Sequence, residues 1–354
     1  MRVLLLGATG LLGNNVLKTL VSCGHDVTMI VRNLDAIVGI KVPVEAKQEI
    51  RGAEELPQTV FRTEDSDIKI IRGSLTDANH VSCAAKGCQA IINCAGDTDM
   101  SHRHLEDYYP VNRDLCATIL DVAVAENVST IVHVSTANTI GYGDVFKPAN
   151  EQAPMQAPFT ESWYALSKLD GEQILLNEHP EFRTSGMSSL TGCRVIIINP
   201  GFIIGKYDEK PSSGKLLLAG WRKRIMLVPP GGKSFVGADT VAQAIVAALT
   251  KGRSGQRYLV TGENLSFRQL FRLESRVGGY RQYIVVMPRL VCRLVGAIGD
   301  VLAVCGLRVS FTRRNVRQLL VSEHYTSQKM EKELGVAPIP IVEAIGSFIK
   351  YKRI

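Results

Sequence analysis

No C-x-x-C pair occurs among the eight cysteines of this 354-residue chain. Cys23, Cys83, Cys88, Cys94, Cys116, Cys193, Cys292 and Cys305 fall mostly within apolar segments, which fits reduced, buried thiols in a cytoplasm better than a disulfide framework or a zinc site. Lysine and arginine number 41 against 34 acids, yet the excess is scattered, with small clusters only at Trp221–Arg224, Arg313-Arg314 and Lys350–Arg353. Without a basic stripe interleaved with aromatics, a nucleic-acid partner is not expected. No internal repeat or low-complexity tract is found. No charged leader and apolar signal region precede the first apolar run, so sorting by the N-terminus is not expected either. The most apolar window, Met287 to Val309, is interrupted by Arg289, Arg293 and Asp300 and by Gly296, Gly299 and Gly306, which argues against a membrane span. His102 and His104 fall on one side of an extended segment with no third ligand in view, so no metal site is expected.

What is present begins at the N-terminus. Val3 to Leu6 is an all-apolar run with the length of a parallel strand buried on both faces. Gly7-Ala-Thr-Gly10-Leu-Leu-Gly13 follows, and Asn14 to Cys23 then carries Val16, Leu17, Leu20 and Val21 at helical spacing. The glycines therefore stand at a strand-to-helix turn, and that context gives weight to a spacing that is weak alone. Gly7 suits the tight turn, Gly10 lets the main chain approach a pyrophosphate, and Gly13 lets helix and strand pack closely. The helix N-terminus offers free N–H groups and partial positive charge to phosphates.

Asp26 to Arg32 is read as the second strand. The residue ending it would face an adenosine ribose, where an arginine pairs with a 2′-phosphate and an acid with a 2′-hydroxyl. Arg32 therefore favours NADP, with NAD as second choice because Asp35 is close by. The connection from Asn33 to about Asp67 has little periodicity, with room for a helix near Pro43 to Arg51. Strands follow at Ile68 to Ile71 and at Ala90 to Gly96, the latter ending in small residues that suit close backbone approach to a ribose and pyrophosphate. Asn112 starts a helix running to about Asn127, with Leu115, Ile119, Leu120, Val122 and Ala123 as its buried face.

Thr130 to Thr136 is a strand ending in two hydroxyls, Ser135 and Thr136. Beyond it, Trp163-Tyr164-Ala-Leu-Ser-Lys168 opens a helix that continues through Leu176. Residues four apart share one helix face, so Tyr164 and Lys168 lie about one turn apart. A phenol with a pKa near 10 is a poor base at neutral pH, and a neighbouring ammonium favours its ionised form. Such a pair serves proton transfer, and a hydroxyl from the preceding strand would polarise a substrate carbonyl. Tyr-x-x-x-Lys alone is more often a surface pair. Its weight here comes from order: glycine turn, small-residue strand end, hydroxyl-ended strand, then Tyr and Lys on the next helix.

Five motifs, Gly7-x-x-Gly10-x-x-Gly13, Val134-Ser-Thr136, Tyr164-x-x-x-Lys168, Asn199-Pro-Gly201-x-x-x-Gly205 and Val236-x-x-Asp239-x-Val-Ala242, make nearly the whole chain resemble the extended short-chain dehydrogenase/reductase family, also described as NAD-dependent epimerase/dehydratases. The Val31-Arg32 strand ending, Asn199-Pro-Gly201 and the character of the C-terminal region are most similar to the branch of dihydroflavonol reductases, cinnamoyl-CoA reductases and 3β-hydroxysteroid dehydrogenases. The resemblance implies an α/β, Rossmann-type doubly wound parallel sheet with a smaller, discontinuous C-terminal substrate domain. Residues 1–200, with 236–262 returning, would bind the dinucleotide, and 201–235 with 263–354 would bind substrate. It implies Tyr164 as proton donor or acceptor, Lys168 on the ribose, and Thr136 as the third member, with Ser135 as the alternative. It also implies cofactor contacts from Gly7, Thr9, Gly10, Leu11, Leu12, Gly13, Arg32, Ser74, Leu75, Cys94, Ala95, Gly96, Asn112, Pro200, Gly201 and Ile203. Two departures stand out: Leu115 and Cys116 replace the Gly-Thr that usually follows the helix asparagine, and Ser74 stands where many members carry an aspartate near the adenine. Asp77 can be a plain helix cap.

Arg194 to Asn199 and Tyr258 to Thr261 complete the expected sheet. Lys206 to Gly220 is read as substrate lid, cofactor contact or solvent loop, Asp239 as a carboxylate capping a helix, and Ser266 as an N-cap. Met287 to Val309 is read as a helix pair lining an apolar substrate pocket with peripheral membrane contact, and Val342 to Tyr351 as a final helix. The expected activity is hydride transfer between a nicotinamide and a carbonyl or secondary alcohol on an apolar or mixed-polarity small molecule, in a cytoplasmic protein and possible homodimer. One rival is a nucleotide-sugar epimerase or dehydratase with tightly held NAD; another is a catalytically silent dinucleotide sensor or partner-binding protein, against which the intact Tyr164 and Lys168 argue.

Overall fold

Along β1 (Arg2–Leu6), Val3 and Leu5 enter one apolar cluster while Leu4 and Leu6 enter another on the opposite face. A strand buried on both faces has helices on both sides, and this unalternating run is its signature. The computed structural model describes residues 1–41, 58–64, 66–177, 192–209 and 213–354. After β1 come α1 (Leu11–Ser22), β2 (Asp26–Val31), β3 (Gln58–Arg62), β4 (Asp67–Arg72), α2 (Ala78–Ala85), β5 (Ala90–Asn93), α3 (Tyr109–Asn112), α4 (Asp114–Ala125), β6 (Thr130–Val134), α5 (Trp163–Leu175) and β7 (Arg194–Pro200). The order continues with β8 (Phe202–Ile204), α6 (Gly214–Gly220), β9 (Ile225–Val228), β10 (Gly232–Gly237), α7 (Ala238–Lys251), β11 (Gln256–Val260), β12 (Glu263–Ser266), α8 (Phe267–Val277), β13 (Tyr283–Val286), α9 (Arg289–Val304), α10 (Arg313–Arg317) and α11 (Ile341–Lys352).

Eight strands form the main sheet in the order β11-β7-β6-β5-β1-β2-β4-β3. Seven run parallel, and β3 pairs antiparallel with β4 at the edge. The chain thus winds outward from β1 in both directions, which makes the carboxyl ends of β1 and β5 the place where a crevice opens. α1 and α7 cover one face with Leu17, Leu20, Val241 and Ile245. α2, α4 and α5 cover the other with Val81, Leu115, Ile119 and Ile174. A third core gathers Phe235, Phe267, Leu270, Phe271 and Phe348 around α8, α11 and the small sheet β12-β10-β8.

Several sequence expectations are corrected. β3 lies inside the connection read as non-repetitive: it buries only Thr59 and Phe61, and its partner β4 holds it in place where five residues show little pattern of their own. The helix expected at 43–51 lies outside the described residues. The helix expected to run from Asn112 is broken at Arg113 (φ −115°, ψ −62°), so Asn112 closes α3 and α4 starts afresh. Asp239 is not a cap; Gly237 occupies that position without a side-chain bond, and the Asp239 carboxylate instead faces Lys206 Nζ at 3.8 Å. Much of the 206–220 segment is no open loop, since α6 packs Leu217 into the third core and the buried Asp208 accepts from the Gly214 N–H at 2.8 Å. Asp77 and Ser266 do cap α2 and α8 as read.

Candidate active site

The glycine turn divides its labour as its backbone requires. Gly7 has φ +77°, and a Cβ there would stand 2.6 Å from the Ala95 nitrogen, so the turn can press against the end of β5 only without a side chain. A Cβ on Gly13 would lie 2.0 Å from the Gly7 carbonyl oxygen, which keeps α1 tight on the turn. Gly10 differs, because a Cβ there would meet only Gly7 O at 3.6 Å. The space in front of Gly10 is open, α1 starts there with no side-chain cap, and its first turn carries no acid. A diphosphate could approach backbone donors there without like-charge repulsion, so the residues present fit a dinucleotide. Thr9, Leu11 and Leu12 belong to the same turn, Leu12 being buried and the other two half-buried.

Arg32 is exposed, one residue past β2. Ser74 holds Thr76 by a 2.8 Å hydroxyl contact, and Leu75 packs against the second core. At the end of β5, Ala95 N–H donates to Asn93 Oδ1 at 3.0 Å, and Cys94, its thiol pushed up to about 12 by burial, lies near the Lys168 charge. Gly96 faces the centre: a Cβ on it would lie 3.7 Å from Asn112 Oδ1 and 3.8 Å from Lys168 Nζ. Pro200 ends β7, Gly201 passes so close to Ser234 that a Cβ would meet its carbonyl oxygen at 2.4 Å, and Ile203 pairs with Val236 across β8 and β10.

β6 ends at Val134, and the two hydroxyls just beyond it part company. Thr136 hydrogen-bonds Tyr164 and also accepts from Asn138 N–H at 3.3 Å, whereas Ser135 Oγ is buried with no partner among the described residues. On α5, Ser162 caps the first turn and sets the phase that turns Tyr164 and Lys168 inward. Lys168 is 2 % exposed and donates to the Val134 carbonyl at 2.7 Å. Burial holds its ammonium below the ordinary lysine value, opposed by Cys116, Glu172 and Cys94. The Tyr164 phenol is pushed up to about 12, chiefly by burial and further by the Asp97 charge, while the Thr136 hydroxyl pulls it down. In the protein alone, desolvation outweighs the Thr136 hydrogen bond, so the phenol is neutral at neutral pH.

Asn112, read from the sequence as a cofactor contact, and several residues absent from that reading hold this arrangement. Asn112 Oδ1 accepts from Asp97 N–H at 2.8 Å, and its Nδ2 donates to Asp97 O and Ser167 Oγ, both at 3.0 Å, so its amide shapes the 97 turn. Fully buried Glu172 accepts from Thr139 Oγ1 (2.7 Å), Asn199 Nδ2 (2.8 Å) and Arg257 Nε (2.7 Å), and Asn199 also donates to the Thr136 carbonyl at 3.1 Å. Glu172 stands four residues after Lys168, a spacing that could have drawn attention to it. Tyr108 sets its ring 6.3 Å from that of Tyr164, tilted by 56°, and donates to Asp99 O at 2.6 Å; no local pattern marks it. Behind Lys168, His133 is held neutral by burial, its Nδ1 accepting from Asn93 Nδ2 at 3.1 Å. His102 donates to Asp97 at 2.8 Å while His104 stacks on Trp163, so the two histidines serve different neighbours. Among the described residues no cluster of metal-ligand type occurs.

A cavity of about 880 Å³ lies between α9, α10 and the 142–158 segment. Leu294, Ala297, Val316, Leu320 and Pro158 give it apolar walls, and Arg289, Arg293, Arg313 and Arg317 give it positive charge. Tyr164, Lys168 and Thr136 are not among its lining residues. α10 nonetheless ties this region to the phenol's helix: Arg314 stacks on the Trp163 ring at 3.2 Å, Arg317 pairs with Glu161, and Asn315 Nδ2 donates to Met100 O at 2.9 Å.

A doubly wound parallel sheet that opens with a phosphate-suited glycine turn is the architecture of dinucleotide-dependent enzymes. The chain belongs to the NAD dependent epimerase/dehydratase family, whose model matches residues 3–261. It is 24 % identical to sterol demethylase protein B of Methylococcus capsulatus, over 100 % of this chain and 98 % of that protein. It is also 24 % identical to a sterol-4-alpha-carboxylate 3-dehydrogenase, decarboxylating, of Dictyostelium discoideum, over 76 % and 74 % of the two chains. The crystal structure of gox2253 superposes with a TM-score of 0.75 at 24 % identity, covering 99 % of this chain and 98 % of that one, and shares the fold. No helix among the described residues is long and apolar enough to cross a membrane.

Proposed function

We propose that this NAD-dependent family member interconverts a carbonyl and a secondary alcohol on an apolar small molecule that carries an anionic group. The observation that carries the reading is the neutral Tyr164 phenol, hydrogen-bonded to Thr136 and one helical turn from buried Lys168. A bound nicotinamide cofactor would supply or accept the hydride. Tyr164 gives its proton to the carbonyl oxygen in reduction and takes it back in oxidation, Thr136 holds the phenol in place, and Lys168 binds the ribose. Gly10 and the first turn of α1 cradle the diphosphate. Arg32, exposed beyond β2, pairs with a 2′-phosphate, so NADP is the preferred cofactor and NAD the second choice. Residues 201–235 and 263–354 form the substrate side.

Four arginines alone would suit the diphosphate of a nucleotide sugar equally well. The leucine, valine, alanine and proline walls between them favour an amphipathic anion, in line with the carboxylated sterol in one relative's name. A cytoplasmic location and a homodimer complete the proposal; fractionation and light scattering test them.

The experiment is a titration with NADPH and NADH followed by a screen of ketones and secondary alcohols, with and without a carboxylate, reading absorbance of the reduced cofactor. Turnover on carboxylated apolar substrates is the expected result. Retention of NAD through purification with no net consumption, together with turnover of a nucleotide sugar, would replace this reading.

A further inference from the structure

α9 is packed the wrong way round for a helix of a water-soluble surface. Its only buried residues are Cys292, Gly296 and Gly299, while Leu290, Leu294, Ile298 and Val301 are 67, 56, 57 and 62 % exposed. At 100° per residue these four fall within one stripe less than a quarter-turn wide. The inward side is pinned by its glycines: a Cβ on Gly296 would stand 3.0 Å from Arg313 Cα, and one on Gly299 2.2 Å from the Phe311 oxygen. Turning the large side chains inward is therefore impossible without pushing α10 away.

The two-stranded ribbon just before α9 repeats the pattern. β9 and β13 pair Ile225 with Tyr283 and Leu227 with Val285, and all four are 49–69 % exposed, while Met226 and Ile284 on the reverse side pack against the third core. Around these apolar surfaces the charge is of one sign. Between Gln282 and Val321 there are six arginines and one acid, Asp300, which is already engaged by Arg313. Arg222, Lys223 and Arg224 lead into β9 and Arg281 precedes β13, all exposed.

We infer that the outward face of α9, with the β9–β13 ribbon beside it in the chain, docks peripherally on an anionic lipid bilayer. An apolar stripe flanked by arginines is what an interfacial helix presents to the acyl boundary and to anionic headgroups. A second copy of the chain is the competing occupant, but this face carries a large excess of arginine and its one acid, Asp300, is already engaged by Arg313, so a self-contact would gather like charges. Leu294 belongs both to this face and to the cavity wall, so docking would set the cavity beside the membrane. The inference does not depend on the chemistry proposed for Tyr164.

The test is co-flotation of the full chain with vesicles of phosphatidylcholine alone and of phosphatidylcholine carrying about 25 mol% phosphatidylglycerol. The expected result is binding to the anionic vesicles that weakens with salt and with removal of the anionic lipid. Ile298→Asp/Val301→Asp should lower the bound fraction about tenfold or more, and Arg308→Glu/Lys223→Glu should remove the preference for anionic lipid. Both pairs are exposed, so melting temperature and cofactor binding should stay at wild-type values; Ile225→Asp/Leu227→Asp probes the ribbon separately. Absence of wild-type flotation with anionic vesicles, or undiminished flotation of both aspartate pairs, overturns the proposal. So does light scattering that shows a dimer split by Ile298→Asp/Val301→Asp.

Discussion

Replacing Tyr164 by phenylalanine removes one oxygen and little else. The ring keeps its place 6.3 Å from Tyr108, and the lost hydrogen bond to Thr136 is worth about 1 kcal/mol, so the variant should fold and bind cofactor. Turnover should behave differently. Removing a positioned proton donor costs about 10²–10⁴ in rate, or about 3–5 kcal/mol of barrier. The phenol's position, pushed up to about 12 by burial, also sets the shape of the pH dependence. At pH 7 about one molecule in 10⁵ carries phenolate in the free enzyme, because each unit below the pKa is a factor of ten. In the reducing direction, where the neutral phenol donates, kcat/KM should show no loss from Tyr164 ionisation between about pH 6 and 9. In the oxidising direction, where the phenolate accepts, it should climb about tenfold per unit across the same range. The assay is steady-state absorbance of the reduced cofactor in both directions, for wild type and Tyr164→Phe, on a substrate found by the screen. A phenylalanine variant within a few-fold of wild-type turnover, at unchanged cofactor affinity, would refute the role given to Tyr164.

Three further outcomes follow from particular residues. Gly10→Ala should keep the wild-type melting temperature yet weaken dinucleotide binding, whereas Gly13→Ala, whose Cβ would stand 2.0 Å from Gly7 O, should lose about 1–3 kcal/mol of stability by overpacking; equal effects from the two would refute the division of labour in the turn. Arg32→Ala should raise the dissociation constant for NADPH about 10–100-fold while sparing NADH, read by fluorescence titration, and a parallel loss for both would place Arg32 elsewhere. Glu274 is fully buried with neither carboxylate oxygen partnered among the described residues, and burial pushes its pKa from 4.5 to about 8. Because the folded-state value is the higher one, this acid's contribution is intact below about pH 4.5 and is lost as pH rises through about 8; Glu274→Gln should therefore stabilise by about 3 kcal/mol at pH 7 and by almost nothing at pH 4, and a pH-independent difference in urea melts would contradict this.

Local chemistry made most of the doubly wound sheet legible. The Val3–Leu6 run, the Gly7-Gly10-Gly13 turn and the periodic helix after it are short-range statements, and each constrains the backbone within a dozen residues. Tyr164 and Lys168 were readable because four residues on a helix is a fixed distance. Strand β3 was not readable, since its stability comes from β4 and not from its own five residues. The same holds for the break at Arg113, where Asn112 is pulled to the Asp97 turn by contacts fifteen residues away.

By itself, then, the sequence determined the class of protein, the phosphate-suited turn and the placing of Tyr164 and Lys168 on one helix face, because each is encoded by neighbours along the chain. Only the tertiary structure decided that Thr136 rather than Ser135 meets the phenol, that burial dominates the phenol's proton affinity, and that Glu172 braces the site from behind. It also decided that the apolar side of α9 faces outward, because glycines spaced for a close helix contact leave no room for leucines on the same side. Desolvation and steric exclusion depend on what surrounds a residue in space, and residues from distant parts of the chain supply those surroundings.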